Sequence, residues 1–479
     1  MKKCNNETVS VEITDMNNLG HGIARCGGKV MFVRHGVDGD KADVQIIKHT
    51  SGYDIARIER LTEPSQYRAP DSCAASRRCG GCVYSGITYE HELELKRRIV
   101  ESEFRKVGLS DVSVSATVSA GKCTGYRNKI QLPVGRDKNG KTVMGYYAKR
   151  SHDIIPCTGC GLSSPHVSGI DEYVRLYIER AGWTEVRHLY MRCGTDSSGA
   201  VRVSVCLVVS SRPDGVEAFA QTLTERFPQI SGVLLNYNAD NTNVILGKRY
   251  ETLVGEADIV DCICGLDFRI SPASFYQVNR DAAELAYKII AEKAALKPGD
   301  RLLDLYCGIG TIGLCTASMC SGISLTGIEI VPEAVENAKM NAAANGFTTA
   351  TLSDIENGER GKEGYISKAA FACMDAKDIG IGIYDVIIVD PPRKGCSEEL
   401  IEKLDEFSRG GAERIVYMSC NPATLARDAA LLYKKGFVID GDAVPIDMFP
   451  RTGHVETVVL LSHKKADSYI HIDVEFGEG

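Results

Sequence analysis

The sequence predicts a multidomain chain with a small oligonucleotide-fold-like β-barrel first, a central α+β domain next, and a Rossmann-like α/β domain last. Three observations carry this reading. Residues 7 to about 62 alternate apolar and polar side chains over short runs with glycine-rich punctuation. From Pro298 onward, continuous apolar runs of strand length alternate with helical stretches. Between these regions helical and strand-like runs are mixed, and 479 residues leave room for two to four domains. The expected divisions are 1–64, 65–265 and 266–479.

No run of about 18 or more apolar residues occurs, and the opening MKKCNNETVS has no apolar signal region. A soluble, unexported, cytoplasmic protein with no membrane partner is expected, and no protein partner is implied. Eighteen cysteines in such a chain point to thiols or metal ligands, not to a disulfide framework. The formal charge is −7, but it is unevenly spread. Residues 1–160 hold 25 Lys and Arg against 18 Asp and Glu, net +7; the remainder holds 31 against 45, net −14. A basic front part suits a polyanion, and RNA is the expected partner.

In the first segment the strand-like runs are Val9–Ile13, Lys29–Val33, Asp43–Ile47 and Asp54–Ile58. Gly20-His21-Gly22, Gly27-Gly28 and the stretch from Gly36 to Gly39 separate them, which predicts a small antiparallel barrel. Its size, the Gly20-His21-Gly22 turn and the scattered basic residues resemble a TRAM domain, which implies RNA binding. Pro64 to Pro70 reads as the linker that closes it.

Next comes Cys73-x5-Cys79-Gly80-Gly81-Cys82, with Arg77-Arg78 in the first gap. Three cysteines within ten residues of a turn-rich segment can converge on one metal centre, because thiolates are soft ligands suited to iron–sulfur or zinc. The nearest good source of a fourth is Cys157-Thr158-Gly159-Cys160. Two readings stand: a zinc-ribbon-like set of Cys79, Cys82, Cys157 and Cys160, or an iron–sulfur set of Cys73, Cys79, Cys82 and one later cysteine. The iron–sulfur set is favoured, because the zinc-ribbon gap would be far longer than usual.

Glu90 to Val107 reads as an amphipathic helix with Leu93, Ile99, Val100 and Phe104 inward and Lys96-Arg97-Arg98 on a wet face. Tyr126-Arg127-Asn128-Lys129 leads into a strand, Ile130–Val134, and Gly145-Tyr146-Tyr147-Ala148-Lys149-Arg150 mixes aromatic with basic residues. Such interleaving suits stacking on unpaired bases with phosphate contacts alongside, and Arg127 is the candidate substrate contact. Residues 170 to about 265 carry helices over Asp171–Ala181 and Gly215–Arg226, and strands over Ala200–Val209 and Gly232–Asn238. Cys262-x-Cys264 is too closely spaced for a usual chelating pair and reads as strand packing.

Arg301-Leu302-Leu303-Asp304-Leu305 is a buried strand followed by Tyr306-Cys307-Gly308-Ile309-Gly310-Thr311 and the apolar start of a helix. Glycines there let backbone approach a ligand, and the helix N-terminus offers free N–H groups. A second strand, Ser324–Ile328, ends in Glu329, where an acid can accept both ribose hydroxyls. The missing third glycine of G-x-G-x-x-G favours S-adenosylmethionine over a dinucleotide. Cys373-Met374-Asp375 is the candidate for the adenine edge, with Asp375 as the cofactor-binding residue. A third strand, from Tyr384, ends in Asp390-Pro391-Pro392-Arg393. Enzymes that methylate amino groups usually place an aromatic after Asp-Pro-Pro; the arginine argues against that chemistry.

A fourth strand, Arg414–Met418, delivers Ser419-Cys420-Asn421-Pro422 to the sheet's carboxyl end, with a helical run after Pro422. Carbon 5 of uracil takes a methyl group only after a thiolate has added at carbon 6, and a base must then remove the carbon-5 proton. Cys420 fits the nucleophile and Glu456 the base, with His454 a less favoured proton partner. A cysteine is mostly protonated at neutral pH, so it needs activation; Arg451 or a backbone N–H near Pro422 is the expected source.

Ser419-Cys420-Asn421-Pro422, Asp447-Met448-Phe449-Pro450 with Thr452-Gly453-His454-x-Glu456, and Ser274-Phe275-Tyr276-Gln277-Val278-Asn279 together resemble the bacterial RNA uracil-5-methyltransferases. The resemblance covers nearly the whole chain and is strongest over about 266–462. It implies Cys420 as nucleophile, Glu456 as base, and S-adenosylmethionine held by Gln277, Tyr306, Glu329 and Asp390. It also implies that Phe275 stacks near the target uracil. The N-terminal barrel and the Cys73/Cys79/Cys82 spacing resemble the ribosomal-RNA branch, which carries a 4Fe–4S cluster; Ser151-His152-Asp153-Ile154-Ile155 then places the fourth ligand at Cys160, leaving Cys157 spare. A 23S ribosomal RNA substrate is implied. The alternatives are a transfer-RNA uridine-C5 methyltransferase and a noncatalytic iron–sulfur or zinc RNA-binding protein.

Overall fold

The computed structural model describes residues 7–71, 73–76, 78–149, 151–240 and 244–463; Arg77, Arg150, the MKKCNN start and the end of the chain from 464 lie outside the described residues. The first segment forms β1 (Thr8–Glu12), β2 (Asp15–Met16), β3 (His21–Cys26), β4 (Lys29–Arg34), β5 (Lys41–His49) and β6 (Tyr53–Glu63). These make one six-stranded sheet in the order β1-β5-β6-β4-β3-β2. Strand alternation builds it: Val11, Ala24, Met31, Val33, Val44 and Ala56 share one core. Two expectations are corrected. Gly20 turns the chain with φ 71, but His21 and Gly22 already belong to β3. The sheet is also not wholly antiparallel, because β6 pairs antiparallel with β5 on one side and parallel with β4 on the other.

Helix α1 (Tyr89–Lys106) starts at Thr88, whose side chain accepts from the His91 N–H, with Glu90 and Glu92 in its first turn and Arg105 and Lys106 in its last. Leu95, Val100 and Phe104 are buried, whereas Leu93 and Ile99 are half-buried. The wet-face reading of Lys96 is overturned: its side chain is fully buried between Glu92 and Asp447. Lys96 lies in the i, i+4 register of Val100 and Phe104, so helix geometry turns it inward with them.

The central region comprises β7 (Lys129–Arg136), β8 (Thr142–Tyr147), β9 (Ile154–Pro156), α2 (Ile170–Ala181), β10 (Val186–Thr195), β11 (Val201–Val209), α3 (Val216–Arg226), β12 (Ile230–Tyr237) and β13 (Arg249–Gly255). Its sheet runs β13-β12-β11-β10-β7-β8-β9, and α2 and α3 pack on one face through Val174, Ile178, Phe219 and Leu223. A hairpin, β14 (Ile259–Ile263) and β15 (Leu266–Ile270), follows; Cys262 lies in its first strand, while Cys264 sits in the turn at φ 53.

The last region carries α4 (Arg280–Ala294), β16 (Arg301–Leu305), α5 (Thr311–Ser318), β17 (Ser324–Glu329), α6 (Pro332–Ala344), β18 (Thr348–Thr349), α7 (Leu352–Glu356) and β19 (Lys368–Cys373). It continues through β20 (Val386–Val389), α8 (Glu398–Arg409), β21 (Arg414–Ser419), α9 (Pro422–Tyr433), β22 (Phe437–Ile439), β23 (Val444–Ile446) and β24 (Glu456–His463). The sheet order is β18-β19-β17-β16-β20-β21-β24-β22, with β23 paired to β24. Strands β18 to β21 in this path run parallel, and β24 enters antiparallel beside β21. Both faces are buried, Leu302 on one and Leu303 and Leu305 on the other, which explains why these strands read as continuous apolar runs. Among the described residues no helix is long and apolar enough to cross a membrane.

Candidate active site

The parallel strands end on one edge, so the residues just past their carboxyl ends share a crevice: Tyr306 after β16, Glu329 ending β17, Asp375 beyond β19, Asp390 after β20 and Cys420 after β21. An antiparallel neighbour starts where a parallel strand stops. Thr457 pairs with Ser419, and this register sets Glu456, the first residue of β24, beside that same edge.

Cys420 precedes α9, whose N-cap is Asn421 and whose first residue is Pro422. The Asn421 amide donates to the Arg393 carbonyl at 3.1 Å, so the Cys420 turn and the loop after Asp390 are tied together. Asp428 of α9 braces that loop, accepting from Cys396 N–H at 2.8 Å and from the Tyr417 hydroxyl at 2.7 Å. Burial first, then the carboxylates of Glu456 and Asp390, push the Cys420 thiol up to about 11, while Arg393 pulls it down. Burial and Asp390 hold the Glu456 carboxyl well above the ordinary range, again opposed by Arg393. Asp390 itself is pushed up to about 7 by burial. Cys420, Glu456, Asp390 and Arg393 thus act on one another.

The expectation that Arg451 activates Cys420 is corrected. Its guanidinium donates to the Ile87 carbonyl at 3.1 Å and to Cys123 Sγ at 3.3 Å, and sits 3.4 Å from Glu92. Arg393 is the cation whose charge lowers the Cys420 thiol pKa against burial and the two carboxylates. The residue was visible in the sequence as the odd follower of Asp-Pro-Pro; its direction was not.

In the crevice, Tyr306 adopts φ 65 and Gly308 φ 56, and a Cβ on Gly308 would enter open space. Glu329 accepts from the N–H groups of Gly308 at 3.0 Å, Ile330 at 2.8 Å and Val331 at 2.9 Å, which orients its carboxylate at the loop. Asp304 is buried, with one oxygen on Gly313 N–H at 2.9 Å and the other without a partner. Burial, then Asp390 and Glu329, push it up to about 8. Asp375 caps a short turn through Lys377 N–H, and burial first, then Cys396 and Asp375, raise the Tyr306 hydroxyl.

In the segment between β15 and α4, Phe275 is 68% exposed while its neighbours Ser274, Tyr276 and Gln277 are buried. The loop is braced: Arg192 donates to the Ser274 carbonyl at 2.8 Å, Asn128 to the Gln277 carbonyl at 2.9 Å, and Tyr276 to Asp261 at 2.9 Å. Arg127 pairs as a backbone bridge with both Ser163 and Asn279; burial first, then Arg393, Lys96 and Arg127, lower the His454 pKa.

Cys73, Cys79, Cys82 and Cys160 share one neighbourhood. Burial, then Cys160, Cys79 and Cys73, push the Cys82 thiol up to about 12. Cys157 feels Cys160, Cys73 and Cys79 as well, and rises to about 11. Two backbone links run to β8 and the residue just past it: Cys79 bridges Ala148, and the Cys157 N–H donates to the Met144 carbonyl at 3.1 Å. Among the described residues, however, no three His, Cys, Asp or Glu side chains close up as ligands of a metal ion.

Comparison with known proteins places this architecture. A family model described as tRNA (uracil-5-)-methyltransferase matches residues 217–464, and a TRAM domain model matches residues 2–58. An uncharacterized RNA methyltransferase of Bacillus cereus is 34% identical over 467 residues, 95% of this chain and 97% of its own. One from Clostridium acetobutylicum is 35% identical over 468 residues, with 95% and 97% covered. The fold is shared with the Pyrococcus abyssi tRNA (uracil-54, C5)-methyltransferase, solved in complex with S-adenosyl-L-homocysteine: TM-score 0.70 at 24% identity, covering 95% of this chain and 100% of that one. With half the chain matched by the family model and nearly all of it by these relatives, the protein belongs to the RNA uracil-5-methyltransferase family and carries a TRAM domain.

Proposed function

We propose that the protein methylates carbon 5 of a uridine in structured RNA, with 23S ribosomal RNA as the target and Cys420 and Glu456 as the reacting pair. The observation that carries this reading is the β21–β24 register, which sets a thiol and a buried carboxyl on one crevice edge. S-adenosylmethionine, when bound, supplies the methyl group as an electrophile. The residues present fit it: a glycine loop opening onto free space, the oriented Glu329 carboxylate, and Tyr306, Asp375 and Asp390 at the neighbouring strand ends, with Gln277 as the further contact that the family resemblance implies. Phe275, exposed on a braced loop, offers its face to a uracil turned out of its stack.

The Cys420 thiolate adds to carbon 6, and the displaced electron pair makes carbon 5 nucleophilic. Once carbon 5 carries the methyl group, Glu456 takes its proton, the ring double bond re-forms and the thiolate leaves. Burial keeps Glu456 out of water for this step, and Arg393 stabilises the anionic sulfur. RNA containing 5-fluorouridine tests the reading, because fluorine cannot leave carbon 5 as a proton. A denaturation-resistant protein–RNA complex that Cys420→Ala fails to form supports it; methyl transfer surviving Cys420→Ala overturns it. Mapping 5-methyluridine in ribosomal and transfer RNA from a deletion strain and its complement decides between those two targets.

The thiols of Cys73, Cys79, Cys82 and Cys160 suit an iron–sulfur cluster in donor type, although among the described residues no three of them close up as ligands, and such a cluster would tie the segment after the barrel to the region of β8 and β9. Visible sulfur-to-iron absorbance of anaerobically purified protein tests this; a colourless zinc-loaded protein overturns it.

A further inference from the structure

The central sheet presents to the Phe275 loop the face opposite α2 and α3. Register places Lys129 of β7 directly across from Arg192 of β10, on the face that excludes the core neighbours Ile130, Met191 and Cys193. Arg192 is buried and gives its terminal nitrogens to the carbonyls of Ser274, at 2.8 Å, and Ser271, at 3.5 Å, while its Nε has no partner. Among the described residues Lys129 has neither a hydrogen-bond acceptor nor a carboxylate within ion-pair distance, although most of its side chain is withdrawn from water. Two adjacent cations without a counter-ion are costly in a folded protein, and such arrangements persist where a ligand brings the missing charge.

Arg127 stands two residues before Lys129, across a bend at Asn128. It too lacks a carboxylate within ion-pair distance among the described residues, and its Nε is buried without a partner. Its charge reaches His454, while Arg192 holds the residue next to Phe275. Arg192 thus ties the Lys129 position to the loop that exposes the Phe275 ring. Burial first, then the charge of Arg192, pull the Lys129 ammonium down to about 8.

We propose that Lys129, paired across the sheet with Arg192, receives a backbone phosphate of the RNA strand beside the nucleotide stacked on Phe275. This rests on the RNA-methylating reading. A nucleotide turned out of its stack carries its flanking phosphates to the rim of the pocket, and an ammonium is a compact point charge suited to them. The contact positions RNA without reading sequence.

The test uses full-length protein and a transcribed ribosomal RNA fragment that wild type methylates, with binding measured from about 50 to 200 mM salt. Lys129→Gln should weaken RNA binding equally for different sequences and flatten the plot of log affinity against log salt by about 0.7–0.9. Lys129→Arg should restore the slope, S-adenosylmethionine affinity by equilibrium dialysis should be unchanged, and the Lys129→Gln melting temperature should equal or exceed wild type. An unchanged slope, a loss of S-adenosylmethionine affinity alone, or a Lys129→Gln protein that melts early would overturn the proposal. Wild type that methylates no RNA sinks the underlying function; methylating wild type with a salt slope indifferent to Lys129 sinks this inference alone.

Discussion

Lys96 Nζ lies 2.6 Å from Asp447 Oδ1 with both side chains wholly buried, joining α1 to the loop that leads into Glu456. The amine also donates to Glu92 at 2.9 Å and to the Phe449 carbonyl at 3.2 Å, and Tyr89 donates to the other Asp447 oxygen at 2.6 Å. The Arg451 N–H adds a bond to Glu92 at 2.6 Å. One buried cluster therefore sets the path of residues 447–451, five residues from the proposed base. Lys96→Met should leave two buried carboxylates facing each other and cost about 3–5 kcal/mol. Denaturant unfolding of the two proteins at neutral pH measures it.

Glu456→Gln should separate chemistry from stability. Turnover should fall by about 10²–10⁴-fold, with a covalent protein–RNA adduct accumulating on ordinary substrate because the carbon-5 proton stays in place. Stability should move the other way. Folding raises the Glu456 carboxyl pKa, so its contribution is full below the unfolded value and is lost as pH rises through the folded one. The variant should gain on wild type from weakly acidic to alkaline pH in thermal melts. A turnover loss without adduct would remove Glu456 from the proton step.

Arg393→Ala should slow formation of the 5-fluorouridine adduct on the order of tenfold at pH 7, through loss of a nearby positive charge. Because burial and two carboxylates raise the Cys420 thiol to about 11, wild-type adduct formation should increase with pH from neutral upward. The variant's rise should come at higher pH, and Arg393→Lys should recover part of the difference. An unshifted profile would show that the thiol does not sense this guanidinium.

Gly453→Ala tests how the N-terminal sheet seats on the active-site loop. An added Cβ would stand 1.7 Å from the Asn18 carbonyl oxygen, a backbone atom that can yield only if the Asn17–Gly20 turn moves. The expected cost is about 1–3 kcal/mol in thermal or chemical unfolding, with faster proteolysis between residues 64 and 70. Unchanged protection there would mean the turn adapts locally.

Cys160→Ser and Cys157→Ser should behave differently although the two thiols stand close together. Loss of Cys160 should bleach the visible absorbance of anaerobically purified protein; loss of Cys157 should leave it. The reverse result would make Cys157 the ligand.

Much of the site was legible because its signals are local. Buried strands over Arg301–Leu305, Ser324–Glu329 and Arg414–Ser419 follow from apolar runs, and the Gly308 and Gly310 turns from residues that tolerate positive φ. Cys420 at a strand end and Pro422 opening a helix needed only neighbouring residues. Lys96 escaped for the opposite reason: its partner Asp447 is 351 positions away, so an amphipathic helix showed three consecutive basic residues and no hint that one was sealed inside.

The amino-acid sequence by itself settled the buried strands and turns of the last domain and which residues stand at their ends, since hydrophobic period and turn chemistry are properties of short stretches. Only the tertiary structure decided which charges meet them: that the charge of Arg393 acts on Cys420 while Arg451 is held at Ile87 and Glu92, that β4 and β6 run parallel, and that among the described residues Lys129 stands beside Arg192 without a counter-ion. Electrostatic partners are chosen by packing between distant segments, and a linear chain does not record that choice.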